Sequence, residues 1–576
     1  MPSAKNSTLM LVAIRFPETD DFEGSSARAP NPPPSFSNTF MANRKDIKCV
    51  RALGAGYEGT EDCLVVNVFT PTIDNTRQLS VMVWVKGKEF DQVNDHELYF
   101  GNFVEKDVVV VSLNYRESIL GFLCLGTETA PGNAGLKDII AGLRWVKENI
   151  AQFGGNPNDI TLVGHGSGAA AVDLVTMSPM AIGLVNKAIA QSGNALSPWA
   201  VSRDNLEYAV QVAEALGHVI TNIEDLSEIF RRTSVAALMG VINDLDLTDN
   251  SLAFAPCLER ESLEGAEPFL IKSPYEILQN GEFLRIPFMI GYVDNEGTIR
   301  SEEAIEDDWL SRMDESFNEF LQPDLQFATL TQQTEVAQRI RARYFENNPI
   351  DMDHIDNYIA YHGDTMILVS ALREVRLRVM ASNSPVYVYQ FSYKGSLGES
   401  FVGPLSVNGA AHSEELAYMF FDANDNQISD RDLAVGDIII ERWTNFAKSD
   451  NEIIDEATLE VHVQNPHPVT MTFWDDIYAD HFLDAEGIWE WTERDEDEDD
   501  GTGEGSGEGV EEGSGEGIEE GSGDGIEEGS EEGSGEDIDG DEDEATDSAS
   551  SAVGYTFSII TLFAVLNKFH CSQMLS

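Results

Sequence analysis

Apolar runs of strand length recur along most of the chain, at residues 64–70, 81–85, 108–113, 160–163, 187–191, 286–291 and 386–391. Several are apolar at nearly every position, as in strands buried on both faces of a largely parallel sheet. Between them the period changes to that of a helix. Across 135–151, Ile139, Ile140, Leu143, Val146 and Ile150 fall on one face, and 432–448 carries its own apolar stripe. This alternation predicts an α/β domain with a mostly parallel central sheet and helices on both sides.

The patterning stops near Arg494. From Asp495 the sequence is acidic, rich in Gly and Ser, and almost free of aromatic residues until Tyr555. The expected organisation is a poorly defined start at 1–14, a globular body at 15–494, an acidic repeat without a fold at 495–547, and a small-residue stretch with an apolar segment at 548–576. The formal net charge is -65; residues 495–576 hold 26 Asp and Glu against Lys568 alone, which leaves -40 on the body. Such a field repels nucleic acid and anionic membrane surfaces and favours basic partner surfaces and divalent cations. Nucleic acid is therefore not expected as a partner. Calcium is expected to bind the tail carboxylates only diffusely, since no EF-hand ligand spacing occurs, and neither a metal centre nor a cofactor is predicted.

The opening MPSAKNSTLMLVAIRF has one Lys and an apolar run of about six residues, shorter than the core of a secretory signal, so for a secreted protein a truncated start is expected. Near the other end, 552–566 is apolar after the small residues of 548–551. As a helix that stretch would span about 22 Å, less than a bilayer core of about 30 Å. A cleaved lipid-anchor signal and a short membrane anchor both fit, so C-terminal membrane attachment is expected with its mode open. Of the five cysteines, Cys49, Cys63, Cys124, Cys257 and Cys571, only Cys49 and Cys63 lie close in sequence. They read as thiols in a reducing compartment and as a disulfide in an oxidising one.

The segment EDCLVVNVFTP (61–71) closely resembles the signature of the type-B carboxylesterases and cholinesterases. The similarity continues through NYRESILGFLCLGTETAPGNAGLKDIIAGLRWVKENIAQFGGNPNDITLVG and resumes at KAIAQSGNALSPWA, IPFMIGYVDNEG, VYVYQFSY and ERWTNFAKSDN, running from about residue 15 to about 476. The resemblance implies an α/β-hydrolase fold and makes Cys49–Cys63 the first disulfide of that family. In this fold the nucleophile stands on a sharp strand-to-helix turn, GxSxG, whose outer glycines let strand and helix approach. Here ITLV is followed by Gly164, His165, Gly166, Ser167 and Gly168, so Gly166 occupies the nucleophile position. Shifting the motif onto Ser167 would put His165 and Ala169 where the turn needs its smallest residues.

The same resemblance assigns the oxyanion loop to VMVWVKGKEF. Lys86 stands for the expected histidine, Gly87 is kept, and Lys88 and Glu89 replace two glycines where backbone must approach substrate. Ser167 also belongs to this region, as the residue following the nucleophile position. Glu296 in VDNEG and His412 in NGAAHSEELAYMF match the family's acid and base. Without a nucleophile, Glu296 and His412 read as a hydrogen-bonded packing pair, and the triad positions Gly166, Glu296 and His412 as degenerate. Tyr57 is the one aromatic residue of the 49–63 loop, which weighs against a choline-ester site.

The pattern is most similar to the non-catalytic, neuroligin-like adhesion members of this family, and its acidic tail gives a glutactin-like layout. It implies an extracellular protein, secreted or held at the cell surface, that binds another protein or a matrix component. Helical segments at about 356–382 and 432–448 are expected to form a homodimer face. An active carboxylesterase, working through Ser167 or a water at His412, and an apolar-ligand carrier are the alternatives. In the tail, EGSGEGVE, EGSGEGIE and EGSGDGIE repeat from Glu504. Ser506, Ser514 and Ser522 each sit in SGxG with acidic neighbours, a pattern that resembles glycosaminoglycan attachment, and Asn6 stands in the sole N-glycosylation sequon.

Overall fold

The computed structural model describes residues 47–487 apart from 88–89, 91–97, 248–252, 262, 264–266, 306–307, 399–402, 423–427 and 450–464, together with 8–10, 29–30 and 561–564. Asn6, Lys88, Glu89, Ser506, Ser514 and Ser522 lie outside the described residues, as does the acidic repeat.

Nine strands make one sheet: β1 (Thr8–Met10), β2 (Val66–Thr70), β3 (Leu79–Val85), β4 (Val109–Leu113), β5 (Gly155–His165), β6 (Lys187–Gln191), β7 (Phe288–Val293), β8 (Val386–Phe391) and β9 (Thr561–Ala564). Their spatial order is β1-β2-β4-β3-β5-β6-β7-β8-β9. From β4 through β8 all neighbours are parallel, while β2 and the two edge strands pair antiparallel. This accounts for the apolar runs. Strands β3, β4, β6 and β7 are buried at nearly every residue because helices cover both faces. β9 comes from the apolar stretch 552–566; among the described residues no helix is long and apolar enough to cross a membrane.

The helices that bear on the site are α1 (Ala134–Asn149), α2 (Ser167–Met177), α3 (Ile355–Gly363), α4 (Val369–Ala381), α5 (Glu414–Met419), α6 (Asp430–Lys448) and α7 (Pro468–His481). Alternate sheet residues point to opposite layers. Val81, Val83, Leu162 and Ile290 pack with Ile139 and Leu143 of α1, Val369 and Leu372 of α4, and Trp474 of α7. Met82, Trp84, Val163 and Met289 pack instead with Ile439, Trp443 and Phe446 of α6. The two segments expected to share a dimer face, 356–382 and 432–448, pack on opposite faces of the sheet. The partner that lies along α4 is α7, through Arg376 to Asp475 at 2.7 Å and Arg373 stacked 3.9 Å over Tyr478.

Two disulfides close the body. Cys49–Cys63 pairs as the family resemblance implied, and Cys124–Cys257, separated by 133 residues in sequence, is a second.

Candidate active site

Strand β5 runs buried into Gly164 and His165, and the chain reverses at Gly166 into α2. Gly166 has φ 58° and ψ -125°, a conformation that side-chain-bearing residues rarely adopt. Its amide donates to the Gln191 carbonyl at 2.9 Å, tying the turn to the end of β6, and its own carbonyl accepts from Ala169 and Ala170 at 3.0 and 3.1 Å. The neighbouring glycines serve close approach. A Cβ on Gly164 would stand 2.5 Å from the carbonyl carbon of Gly168, and one on Gly168 would stand 2.5 Å from the Val85 oxygen. A Cβ on Gly166 would meet nothing within 4 Å. The turn is thus a nucleophile elbow in geometry, with open space at its apex.

Ser167 does not face that space as a nucleophile would. It opens α2, is 3% exposed, and its Oγ accepts the Phe90 amide at 3.2 Å. Gly87 lies against the elbow, where an added Cβ would come within 2.8 Å of the Gly168 Cα. Lys86 is half-buried: its Nζ donates to Asn114 Oδ1 at 3.2 Å, and Tyr115 donates to its carbonyl at 2.7 Å.

The acid and base positions come together above the sheet. Glu296 follows β7 and His412 precedes α5; Nδ1 of His412 stands 2.6 Å from Glu296 Oε2. The other carboxylate oxygen, Oε1, accepts the Val293 amide at 2.8 Å. Thr298 fixes the second loop, accepting the His412 amide at 2.8 Å while donating to the Asn295 carbonyl at 2.8 Å. Asn295 in turn bridges Ala411 in parallel. The imidazole is held by its Nδ1 with the ring orientation set, which is how a carboxylate prepares histidine to act as a base at Nε2.

His165, in sequence only a bulky flank of the motif, and Glu415, which no motif marks, also belong to the site. In the structure the His165 ring lies 4.9 Å from the His412 ring, and its Nε2 is 3.6 Å from Glu415 Oε1. Burial, with the His412 charge beside it, holds the His165 imidazole well below the usual histidine range. Burial, with Glu296 nearby, pushes the Glu415 carboxyl up to about 8. Glu415 also accepts from Ser192 Oγ at 3.4 Å. No local signal marks this group, since its members come from four separate segments. Among the described residues no cluster of His, Cys, Asp or Glu is arranged to hold a metal ion.

The profile described as "Carboxylesterase family" matches residues 27–478. Venom carboxylesterase-6 of Apis mellifera is 30% identical over 445 residues, covering 74% of this chain and 79% of that protein. Neuroligin-3 of Mus musculus is 29% identical over 447 residues, 71% of this chain and 52% of that one. The crystal structure of juvenile hormone esterase from Manduca sexta, with OTFP covalently attached, superposes with a TM-score of 0.72 at 24% identity, covering 81% of this chain and 95% of that chain.

Proposed function

The chain belongs to the carboxylesterase family, and from that premise we propose that it is a member without the covalent ester chemistry of the fold, acting outside the cell as a binding or adhesion protein. One observation carries the reading. The elbow is built in full, with its close-approach glycines and its Glu296–His412 pair at 2.6 Å, yet its apex residue is Gly166, and the adjacent Ser167 is buried and engaged by Phe90. Loss of a serine nucleophile lowers kcat by about 10⁶ in enzymes of this logic. The replacement of two oxyanion-loop glycines by Lys88 and Glu89 supports the same reading, a lost donor being worth roughly 10²–10³.

Two disulfides, one closing a long loop, support an oxidising compartment. The partner is an extracellular protein or matrix component with a basic contact surface, as the net charge of -65 favours. Glycosaminoglycan chains on Ser506, Ser514 and Ser522 belong to the same reading. The test is capture by the full-length chain on an array of extracellular proteins, followed by equilibrium binding. Saturable binding that survives His412→Ala supports the reading; a chain that captures nothing yet turns over esters contradicts it.

A second reading rests on the Glu296–His412 contact itself: hydrolysis by water activated at His412 in the space over Gly166. Ester turnover abolished by His412→Ala and unaffected by Ser167→Ala would favour it.

A further inference from the structure

Without β9 the central sheet would end on β8, a strand that carries none of the devices that keep a sheet edge from pairing. β8 runs in unbroken parallel register beside β7, from Val386 opposite Phe288 to Phe391 opposite Val293. Its residues, VYVYQF, include no proline, glycine or charged side chain, and Pro385 stands just before the strand, not in it. Exposed edges are normally blunted by charge, proline, a bulge or short length, because their unpaired N–H and C=O groups recruit any extended chain. The strand is also firmly seated. Val386, Val388, Tyr389 and Phe391 are buried, and the Tyr387 ring packs edge-on against Phe446 of α6 at 5.9 Å. Its outer row of main-chain groups is thus a preformed template.

The chain that fills this template is remote in sequence. β9 lies antiparallel on β8, with Thr561 opposite Gln390, Leu562 opposite Tyr389, Phe563 opposite Val388 and Ala564 opposite Tyr387. It belongs to the uncharged stretch 552–566, in which Ile559, Ile560, Thr561, Phe563 and Val565 favour strand and no proline occurs. The opposite edge is closed alike, by β1 antiparallel on β2. Roughly 80 residues, the acidic repeat among them, lie between the end of α7 at His481 and β9, and a tether of that length holds its end at an effective concentration up to the order of millimolar. At micromolar protein the chain's own segment therefore outcompetes the same segment of a second copy.

We propose that the outer edge of β8 is a strand-docking site whose occupant is the chain's own C-terminal segment, so that the acidic repeat is held to the body at both of its ends. The mode of recognition is strand addition, in which main-chain hydrogen bonds supply the affinity and alternate side chains the fit. One consequence bears on the apolar stretch 552–566. Residues paired with β8 are not available to a bilayer, so attachment through this stretch requires β9 to leave the sheet. The docking is independent of whether the elbow turns over esters.

The experiment uses the full-length chain. Limited digestion with glutamyl endopeptidase cuts the Glu-rich repeat, whose last site is Glu544, and native gel filtration with mass spectrometry then asks whether the fragment carrying 561–564 elutes with the body. It is expected to stay with the body in the wild-type chain and to be lost from it in Leu562→Pro plus Phe563→Pro. That variant removes two adjacent main-chain donors, one of which faces β8 in an antiparallel ladder, and leaves the sequence of the body untouched. A wild-type fragment that separates from the body overturns the proposal, and so does equal retention in the proline variant, which would be apolar adhesion without strand pairing. Light scattering of the intact chains at micromolar concentration is expected to give both the same mass; a dimer that the proline variant dissociates would place a second copy's strand on β8 and overturn the assigned occupant. Flotation of the wild-type chain with phosphatidylcholine vesicles, or a mature chain whose intact mass lacks 561–564, overturns it as well.

Discussion

Restoring the hydroxyl with Gly166→Ser separates the two lesions that the account assigns to this site. The built Cβ meets nothing within 4 Å, so the substitution adds no overlap and its cost is conformational. With φ at 58° and ψ at -125°, holding a side-chain-bearing residue there costs about 1–3 kcal/mol, a Tm loss of a few degrees. The new hydroxyl would stand over the His412 base, whose Nδ1 is 2.6 Å from Glu296, so a fluorophosphonate should label Ser at this position slowly. Turnover is another matter. Lys88 and Glu89 replace two oxyanion-loop glycines, and one amide donor withheld from the oxyanion is worth about 10²–10³ in rate. Against a typical enzyme kcat of about 10 s⁻¹, Gly166→Ser should remain below about 0.1 s⁻¹ on p-nitrophenyl butyrate. A variant that folds and reaches about 10 s⁻¹ would refute the oxyanion argument. A variant that fails to fold would refute the open apex.

The neighbouring positions should respond in the opposite way. Gly164→Ala and Gly168→Ala each drive a methyl to 2.5 Å from backbone atoms and are expected to lose more than about 4 kcal/mol or not to fold, as followed by urea denaturation. Removing the long-range disulfide with Cys124→Ser plus Cys257→Ser frees a loop spanning 133 residues and should lower stability by about 3–5 kcal/mol; calorimetry finding less than about 1 kcal/mol would contradict this. Chondroitinase or heparinase should collapse a smeared, high-mass gel band of the native protein. A sharp band indifferent to both enzymes would remove the glycosaminoglycan proposal.

Much of the sheet was legible because its central strands are apolar at nearly every position, and that property survives in sequence. Strand ends were less so. β5 was expected at 160–163 but runs Gly155–His165, since the polar Asn156, Asn158 and Asp159 read as a turn while the backbone is already extended beside Leu79. The elbow was legible through Gly164, Gly166 and Gly168, and the acid and base through short motifs. Their contact across 116 residues was legible only through the family resemblance, since no local signal joins Glu296 to His412. The Cys124–Cys257 bridge and the His165–Glu415 pair carry no local mark at all. The placement of the two segments expected at a dimer face was hidden for a related reason. An amphipathic stripe tells which side of a helix is buried, not which side of the sheet buries it, and α4 and α6 chose opposite sides.

The central claim is that the elbow has no working serine nucleophile, and a fluorophosphonate probe tests it on the native chain. The account predicts no covalent adduct by intact-mass analysis, and identical behaviour of Ser167→Ala. Stoichiometric labelling that maps to Ser167 and vanishes in Ser167→Ala would contradict it.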